Sequence, residues 1–238
     1  MSMPSPTTSQ TSISGQPVSF PVPDWQPRPL PPKTGLEGRY VRLEPLDVTH
    51  HADALFQSFG RDTDARNWTY LPYGPFADAD TFRHWLAGCQ GCDDPLFYSI
   101  IDPVSGNAAG LASYLRITPE TGVIEVGHIH FSPLLQQTRL ATEAMYLLMR
   151  RVFDELGYRR YEWKCDALNA PSCAAAARLG FRFEGIFRQA TLYKGRNRDT
   201  AWYSILDREW PTRRAAFETW LDPANFDADG KQRRALGK

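Results

Sequence analysis

Between Leu36 and Leu206 the apolar residues follow two rhythms, one of period two and one of period three to four. Arg39–Glu44 alternates as a strand does, and Pro45-Leu46 then leads to Asp47, a residue suited to cap a helix running to about Phe59. Phe82, Trp85 and Leu86 recur at helical spacing and predict a second helix from about Asp78 to Ala87. Three strands follow, Phe97–Asp102, Ala109–Ile117 and Val123–Phe131, joined by turn-forming residues 103–107 and 118–122 into an antiparallel meander. The most regular pattern is Ala141, Ala144, Met145, Leu148 and Val152 set against Glu143, Arg150, Arg151 and Asp154, an amphipathic helix that Gly157 stops. Tyr161, Trp163 and Cys165 alternate with Arg160, Glu162, Lys164 and Asp166, which predicts a half-buried strand. A short helix is opened by Asn169-Ala170-Pro171-Ser172 and closed by Gly180. The last strands, Phe181–Phe187 and Thr200–Leu206, flank a polar connection over Lys194–Asp199, and a helix of about ten residues follows Trp210-Pro211.

Strands joined by both hairpins and helices place the fold in the α/β (α+β) class, a mixed, mostly antiparallel twisted sheet flanked by helices. Composition narrows this to one domain. Of 238 residues, 42% are hydrophobic and 23% charged, enough apolar side chain for one ordinary core. Residues 1–34 carry nine of the 19 prolines and ten Ser and Thr, so they read as an extension. Its first dozen residues are expected to be disordered, and Phe20–Leu30, with Trp25, to lie extended on the domain. The domain proper spans 35–212, and 213–238 is a C-terminal helix with a solvated basic tail.

Lys plus Arg (27) equals Asp plus Glu (27), which leaves no global field for nucleic acid or an anionic membrane. No stretch approaches the roughly 20 consecutive apolar residues of a membrane span, and residues 1–14 lack the pattern of a secretory leader. The expectation is a cytoplasmic protein whose cysteines, 89, 92, 165 and 173, are reduced. Cys89 and Cys92 have zinc-half-site spacing without a second pair, so no metal is expected, and Cys165 reads as small core. Trp202 and Trp220 are candidate exposed aromatics for a homodimer contact.

The chemistry-bearing stretch is Ile124–Ala144, a strand, a loop and the start of the strong helix. A helix start presents unpaired N–H groups and the positive end of the macrodipole, which suit a phosphate. Gln136, Arg139 and Ala141 stand where motif A of the GNAT acyl-CoA N-acyltransferase superfamily has Arg or Gln, Gly, and Gly or Ala. Thr142-Glu143-Ala144 resembles the same superfamily. Asn169 with Ser172, Leu179-Gly180-Phe181, Arg198-Asp199-Thr200, Tyr203–Leu206 and Glu209-Trp210 resemble its RimJ/RimL-like branch, which acetylates ribosomal-protein N-termini. The likeness covers roughly residues 36–211.

The resemblance implies a GNAT fold and acetyl-CoA as acyl donor, lying between strands that end near Phe131 and Cys165. The pyrophosphate would meet Gln136, Gln137, Thr138, Arg139, Leu140, Ala141 and Thr142, and Asn169 would bond the pantetheine arm. Arg139 replaces the motif's central glycine. It either turns outward to add charge to a phosphate contact or fills the cofactor's space.

The implied acceptor is a primary amine, either a small molecule or a protein N-terminus. An alkyl amine is mostly protonated at neutral pH, so a base is needed. Glu125, at the family's Glu-x-Gly position, is the candidate, with His128 and His130 as rivals and an ordinary sheet carboxylate as the plain alternative. In a regular strand both histidines face away from Glu125, and a bulge would break that parity. Ser172 is the candidate acid for the departing sulfur, although Asn169 and Ser172 also suit a helix cap. Trp68, Tyr70, Tyr73 and His128 are acceptor-side candidates, with satellite core as the alternative for the aromatics. A non-catalytic acyl-CoA-binding or interaction module is the rival to the enzyme.

Overall fold

The computed structural model describes residues 10–236. A two-stranded hairpin, β1 (Gln10–Thr11) and β2 (Pro17–Val18), stands apart from the main sheet. That sheet has eight strands: β3 (Leu36–Glu37), β4 (Arg42–Pro45), β5 (Leu96–Ile101), β6 (Ala108–Thr118), β7 (Val123–Phe131), β8 (Arg160–Asp166), β9 (Arg182–Tyr193) and β10 (Arg196–Leu206). They lie in the order β3-β4-β5-β6-β7-β8-β10-β9, and only β7 and β8 run parallel. The helices are α1 (Val48–Phe59), α2 (Ala79–Cys89), α3 (Arg139–Arg150), α4 (Ala170–Arg178) and α5 (Trp210–Leu221).

The caps read at Asp47 and Asn169 are present, and Asp78, read only as the start of the second helix, caps it. Asp47 accepts the His50 amide, Asp78 the Thr81 amide and Asn169 the Ser172 amide, satisfying donors that a helix start leaves unpaired. The helix expected to run until Gly157 is α-helical only to Arg150 and then passes into one π turn, Arg151–Glu155, before Gly157 turns the chain at φ +69°. The polar stretch 194–199 is mostly strand rather than connection, because Lys194 and Gly195, both at positive φ, suffice for a tight hairpin turn between β9 and β10.

Two cores result. The larger one packs α3, α4 and α5 on one face of the sheet, with Tyr114, Tyr161, Leu148 and Phe217 fully enclosed. The smaller lies under α1 and α2 on the opposite face, around Leu55, Phe82 and Leu86. Tyr161, Trp163 and Cys165 point into the larger core as their alternation predicts. The other face of β8, expected to meet solvent, is buried too, with Glu162 6% exposed.

Residues 25–34 form a strap, overlapping the stretch Phe20–Leu30 expected to lie on the domain; of the first dozen residues expected to be disordered, 1–9 lie outside the described residues, and Gln10, Thr11 and Ser12 belong to β1 and the turn after it. The Trp25 indole donates to Glu120 O (2.7 Å), Tyr158 donates to Pro29 O (3.1 Å), and Arg151 donates to Thr34 O (2.8 Å). At the other end the basic tail is not simply solvated. The amides of Arg233 and Arg234 bond Asn225, and Leu236 enters the core. Trp220 is buried, bonding Gln232 through its indole, and the Trp202 ring lies under Lys164 and against Phe187, so neither is an open contact aromatic. No helix of the described residues is long and apolar enough to cross a membrane.

Candidate active site

The parallel ladder between β7 and β8 is short. It pairs Val123 with Arg160 through Val126 with Trp163 and then ends, so β7 from Gly127 and β8 from Lys164 part company. A bulge follows at once in β7, where His128 and Ile129 oppose Ala112 alone and His128 adopts φ +49°. The bulge returns both histidines to the α1–α2 side. His130 stacks on Phe59 (3.8 Å between ring centres), and His128 Nδ1 lies 3.2 Å from the Tyr73 hydroxyl. Burial pushes both imidazoles down, His130 to about 3 and His128 to about 4, the latter helped by Arg116 and Arg198.

Beyond Phe131 the loop is wound on Ser132, whose carbonyl accepts the amides of Leu135 (2.9 Å) and Gln136 (3.0 Å). The Gln136 side chain donates back to Phe131 O (2.9 Å), and Gln137 takes φ +60°. Thr138 caps α3 by accepting the Ala141 amide (3.2 Å). Among the described residues the amides of Gln137, Arg139 and Leu140 have no acceptor, and they sit at the positive end of α3. Of the remaining candidates here, Ala141 and Thr142 are buried, and the Thr142 hydroxyl is engaged by Arg178 (3.1 Å).

Arg139 is held off the loop. Its guanidinium lies 4.4 Å from the Tyr40 ring centre and 5.6 Å from that of Phe226. Glu143 fixes Tyr40 in turn, accepting the backbone amides of Arg39 (2.9 Å) and Tyr40 (2.6 Å). The side chain replacing the motif glycine therefore leaves the loop amides uncovered.

At the end of β8, Trp163 donates its indole N–H to Ser172 Oγ (3.0 Å), and Asn169 accepts the Ser172 amide (3.2 Å). Cys165 and Cys173 bring their sulfurs within 3.6 Å beside them. Tyr70 donates to Leu168 O (3.1 Å), tying the aromatic loop to this corner. Trp68 is 6% exposed and belongs to the smaller core, where it walls an apolar cavity of about 200 Å³ with Phe56, Phe59, Phe76 and Phe82.

Glu125 is 3% exposed and held by two cations, Arg116 (2.8 Å) and Lys164 (2.8 Å). Lys164 also reaches Glu162 (2.7 Å) and lies 3.8 Å from the Trp202 ring centre. Burial raises the Glu125 carboxyl above its ordinary range, against the opposing pull of Lys164 and Arg116. Arg116 and Lys164 escaped the sequence reading because alternation along a strand marks a polar face without telling whether that face is solvated.

Parted parallel strands thus lie beside a helix N-terminus whose free amides suit an anion, on an α/β fold. Residues 41–182 match the acetyltransferase (GNAT) domain family. A solved GCN5-related N-acetyltransferase from Brucella melitensis is 50% identical, covering 90% of this chain and 97% of that one at a TM-score of 0.89. A chain from Chromobacterium violaceum ATCC 12472, provisionally named a GNAT-family acetyltransferase, is 45% identical over 82% of this chain and 98% of its own, at a TM-score of 0.76. YdaF of Bacillus subtilis (strain 168), provisionally named a ribosomal N-acetyltransferase, is 26% identical over 71% of this chain and 90% of its own length. The chain belongs to the GNAT family and is an N-acetyltransferase.

Proposed function

We propose that the protein transfers the acetyl group of acetyl-CoA to a primary amine, on a small molecule or a protein N-terminus, by direct attack within a ternary complex. The observation that carries this reading is the parting of β7 and β8 after Val126 beside the uncovered amides of Gln137, Arg139 and Leu140. Those amides receive the pyrophosphate, and the pantetheine arm lies between the strands near Phe131 and Asn169. The name of the B. subtilis relative supports a ribosomal-protein N-terminus as one acceptor.

The neutral amine attacks the thioester carbon, the carbon–sulfur bond breaks, and CoA leaves as a thiolate. Glu125 accepts the amine proton through water, its buried position keeping its basicity above that of an ordinary carboxylate. Backbone N–H groups of β7 beyond Val126 stabilise the oxyanion. Ser172 donates a hydrogen bond to the departing thiolate, which takes its proton from solvent; the serine oxygen already accepts from Trp163, which leaves its O–H to act as the donor.

Isothermal titration with acetyl-CoA tests the donor, and CoA release with N-terminal peptides and small amines tests the transfer. Saturable micromolar binding with amine-dependent release is expected. Absence of binding overturns the reading.

A further inference from the structure

Arg198 lies where β10 overhangs the parted strands. The last β10 residue paired with β8 is Thr200, opposite Asp166, so Arg198 is beyond that ladder. The irregularity at this level is in β9, where Phe187 and Thr191 stand opposite Thr200 and Arg198 and Gln189 takes φ +49°. β10 itself stays regular, so Arg198, Thr200 and Trp202 share one face. That face is the one on which Lys164 covers Trp202 and holds Glu125.

Among the described residues the buried carboxylates of this face all have cations, whereas the half-buried Arg198 has no carboxylate partner. Glu125 has Arg116 and Lys164, Glu162 has Arg160 and Lys164, and Glu184 has Arg160. The carboxylates nearest Arg198 in the chain and across the ladder are engaged elsewhere. Asp166 accepts the Tyr193 hydroxyl (2.8 Å) and the Leu168 amide (2.8 Å), and Asp199 accepts the Gln189 amide (2.8 Å) and the Asn197 side chain (2.9 Å). Arg198 Nε is buried without a partner, and its guanidinium carbon stands 5.9 Å from the Tyr193 ring centre. Next to it the hairpin tip is latched over the aromatic loop, Lys194 donating to Trp68 O (2.7 Å). A half-buried guanidinium with an idle donor is costly unless an anion completes it, and its planar fork suits a carboxylate.

Resting on the acetyltransferase reading, we propose that Arg198 recognises a carboxylate on the acceptor, so that the amine acetylated belongs to a molecule carrying a carboxylate close to it. The carboxylate is either the α-carboxylate of a free amino acid or an acidic side chain beside a peptide's N-terminal amine. The same positive charge disfavours protonation of an amine bound nearby, which helps to keep the nucleophile neutral.

The test measures kcat/KM for matched acceptors: amino acids against their amides, and peptides with Asp or Glu against Asn or Gln at the second position. One of the two carboxylate members is expected to exceed its neutral partner by about 10- to 100-fold, the loss typical of an unpaired charged hydrogen bond. Which pair discriminates identifies the source. In Arg198→Ala that ratio collapses toward one through KM, Arg198→Lys restores part of it, and Arg198→Glu favours acceptors bearing a cation. Equal kcat/KM within both pairs, or an Arg198→Ala variant that keeps the full ratio, overturns the proposal. So does the absence of turnover together with no saturable binding of any N-acetylated carboxylate product to the CoA-loaded protein. Acetyl-CoA titration separates that result from failure of the acetyltransferase reading, since CoA binding without carboxylate preference rejects Arg198 alone.

Discussion

Trp163 and Ser172 are joined by a 3.0 Å hydrogen bond in which the indole donates and the hydroxyl oxygen accepts. The serine is thereby oriented by a donor that cannot take its proton. Ser172→Ala is expected to lower kcat about 10- to 100-fold, the loss of one hydrogen bond to a charged group, with KM for acetyl-CoA changing less than about threefold. Trp163→Phe, which keeps the hydroxyl but frees its rotor, gives a smaller loss. A kcat for Ser172→Ala within twofold of wild type removes Ser172 from the chemistry.

The proposed role of Glu125 as base requires its ionised form, and burial raises its pKa. The acid limb of the kcat/KM profile is therefore expected above the ordinary carboxylate range, with activity rising as pH rises through it. Glu125→Gln removes this limb and lowers the plateau about 100-fold or more. A Glu125→Gln profile that retains the limb assigns it to another group.

Lys164 is a separate, structural test of the same cluster. It holds Glu125 and Glu162 at side-chain exposures of 9%, 3% and 8% for the three residues. Removing the cation they share leaves Glu125 with Arg116 alone and Glu162 with Arg160 alone, so Lys164→Met is expected to cost about 1–3 kcal/mol in urea unfolding. Adding Glu125→Gln and Glu162→Gln to it restores part of that loss. A destabilisation below about 1 kcal/mol contradicts a tightly coupled cluster.

The two depressed histidines set the acid tolerance. With folded pKa values of about 4 for His128 and about 3 for His130, the unfolded chain binds protons that the folded chain refuses below pH 6.5. Stability is therefore full above pH 6.5 and falls as pH drops toward those values. Each histidine contributes a slope approaching about 1.4 kcal/mol per pH unit. His130→Phe, which preserves the stack on Phe59, should flatten the stability profile between pH 6 and pH 4; an unchanged slope refutes the assignment.

Arg139 was the ambiguous position in the motif, and its place over Tyr40 resolves the space it occupies. Arg139→Gly is expected to leave acetyl-CoA affinity within about threefold while lowering stability by about 1 kcal/mol through the lost cation–π contact. Affinity rising more than tenfold by titration shows instead that the side chain obstructs the loop.

Regular periodicity carried the fold well. The spacing of Ala141, Ala144 and Leu148 located α3, that of Phe82, Trp85 and Leu86 located α2, and the capping residues Asp47 and Asn169 located two helix starts, because each is a local preference. The candidate site cluster was less legible. Glu125 was identified by resemblance, yet its partners Arg116 and Lys164 sit on different strands, brought together by sheet order rather than by sequence spacing. Arg198 was visible as part of a branch signature, but its missing counter-ion depends on where Asp166 and Asp199 spend their oxygens, which only the folded chain decides. The π turn after Arg150 had no composition cue at all.

The strap has a kinetic consequence. Its Trp25–Glu120, Pro29–Tyr158 and Thr34–Arg151 bonds span 95, 129 and 117 residues, far longer loops than any hairpin in the sheet. Closing them is entropically unfavourable until β6, β7 and α3 already provide the surface, so the strap joins the structure after the main folding barrier. Trp25 seats against Gly122, at the turn from which the paired ends of β7 and β8 start. Trp25→Ala should accordingly leave the refolding arm of a chevron nearly in place and steepen escape from the native state, raising the unfolding rate by most of the lost stability. The earliest part of the chain is in this sense a latch on the finished domain, and it sets how long the native state lasts rather than how fast it forms.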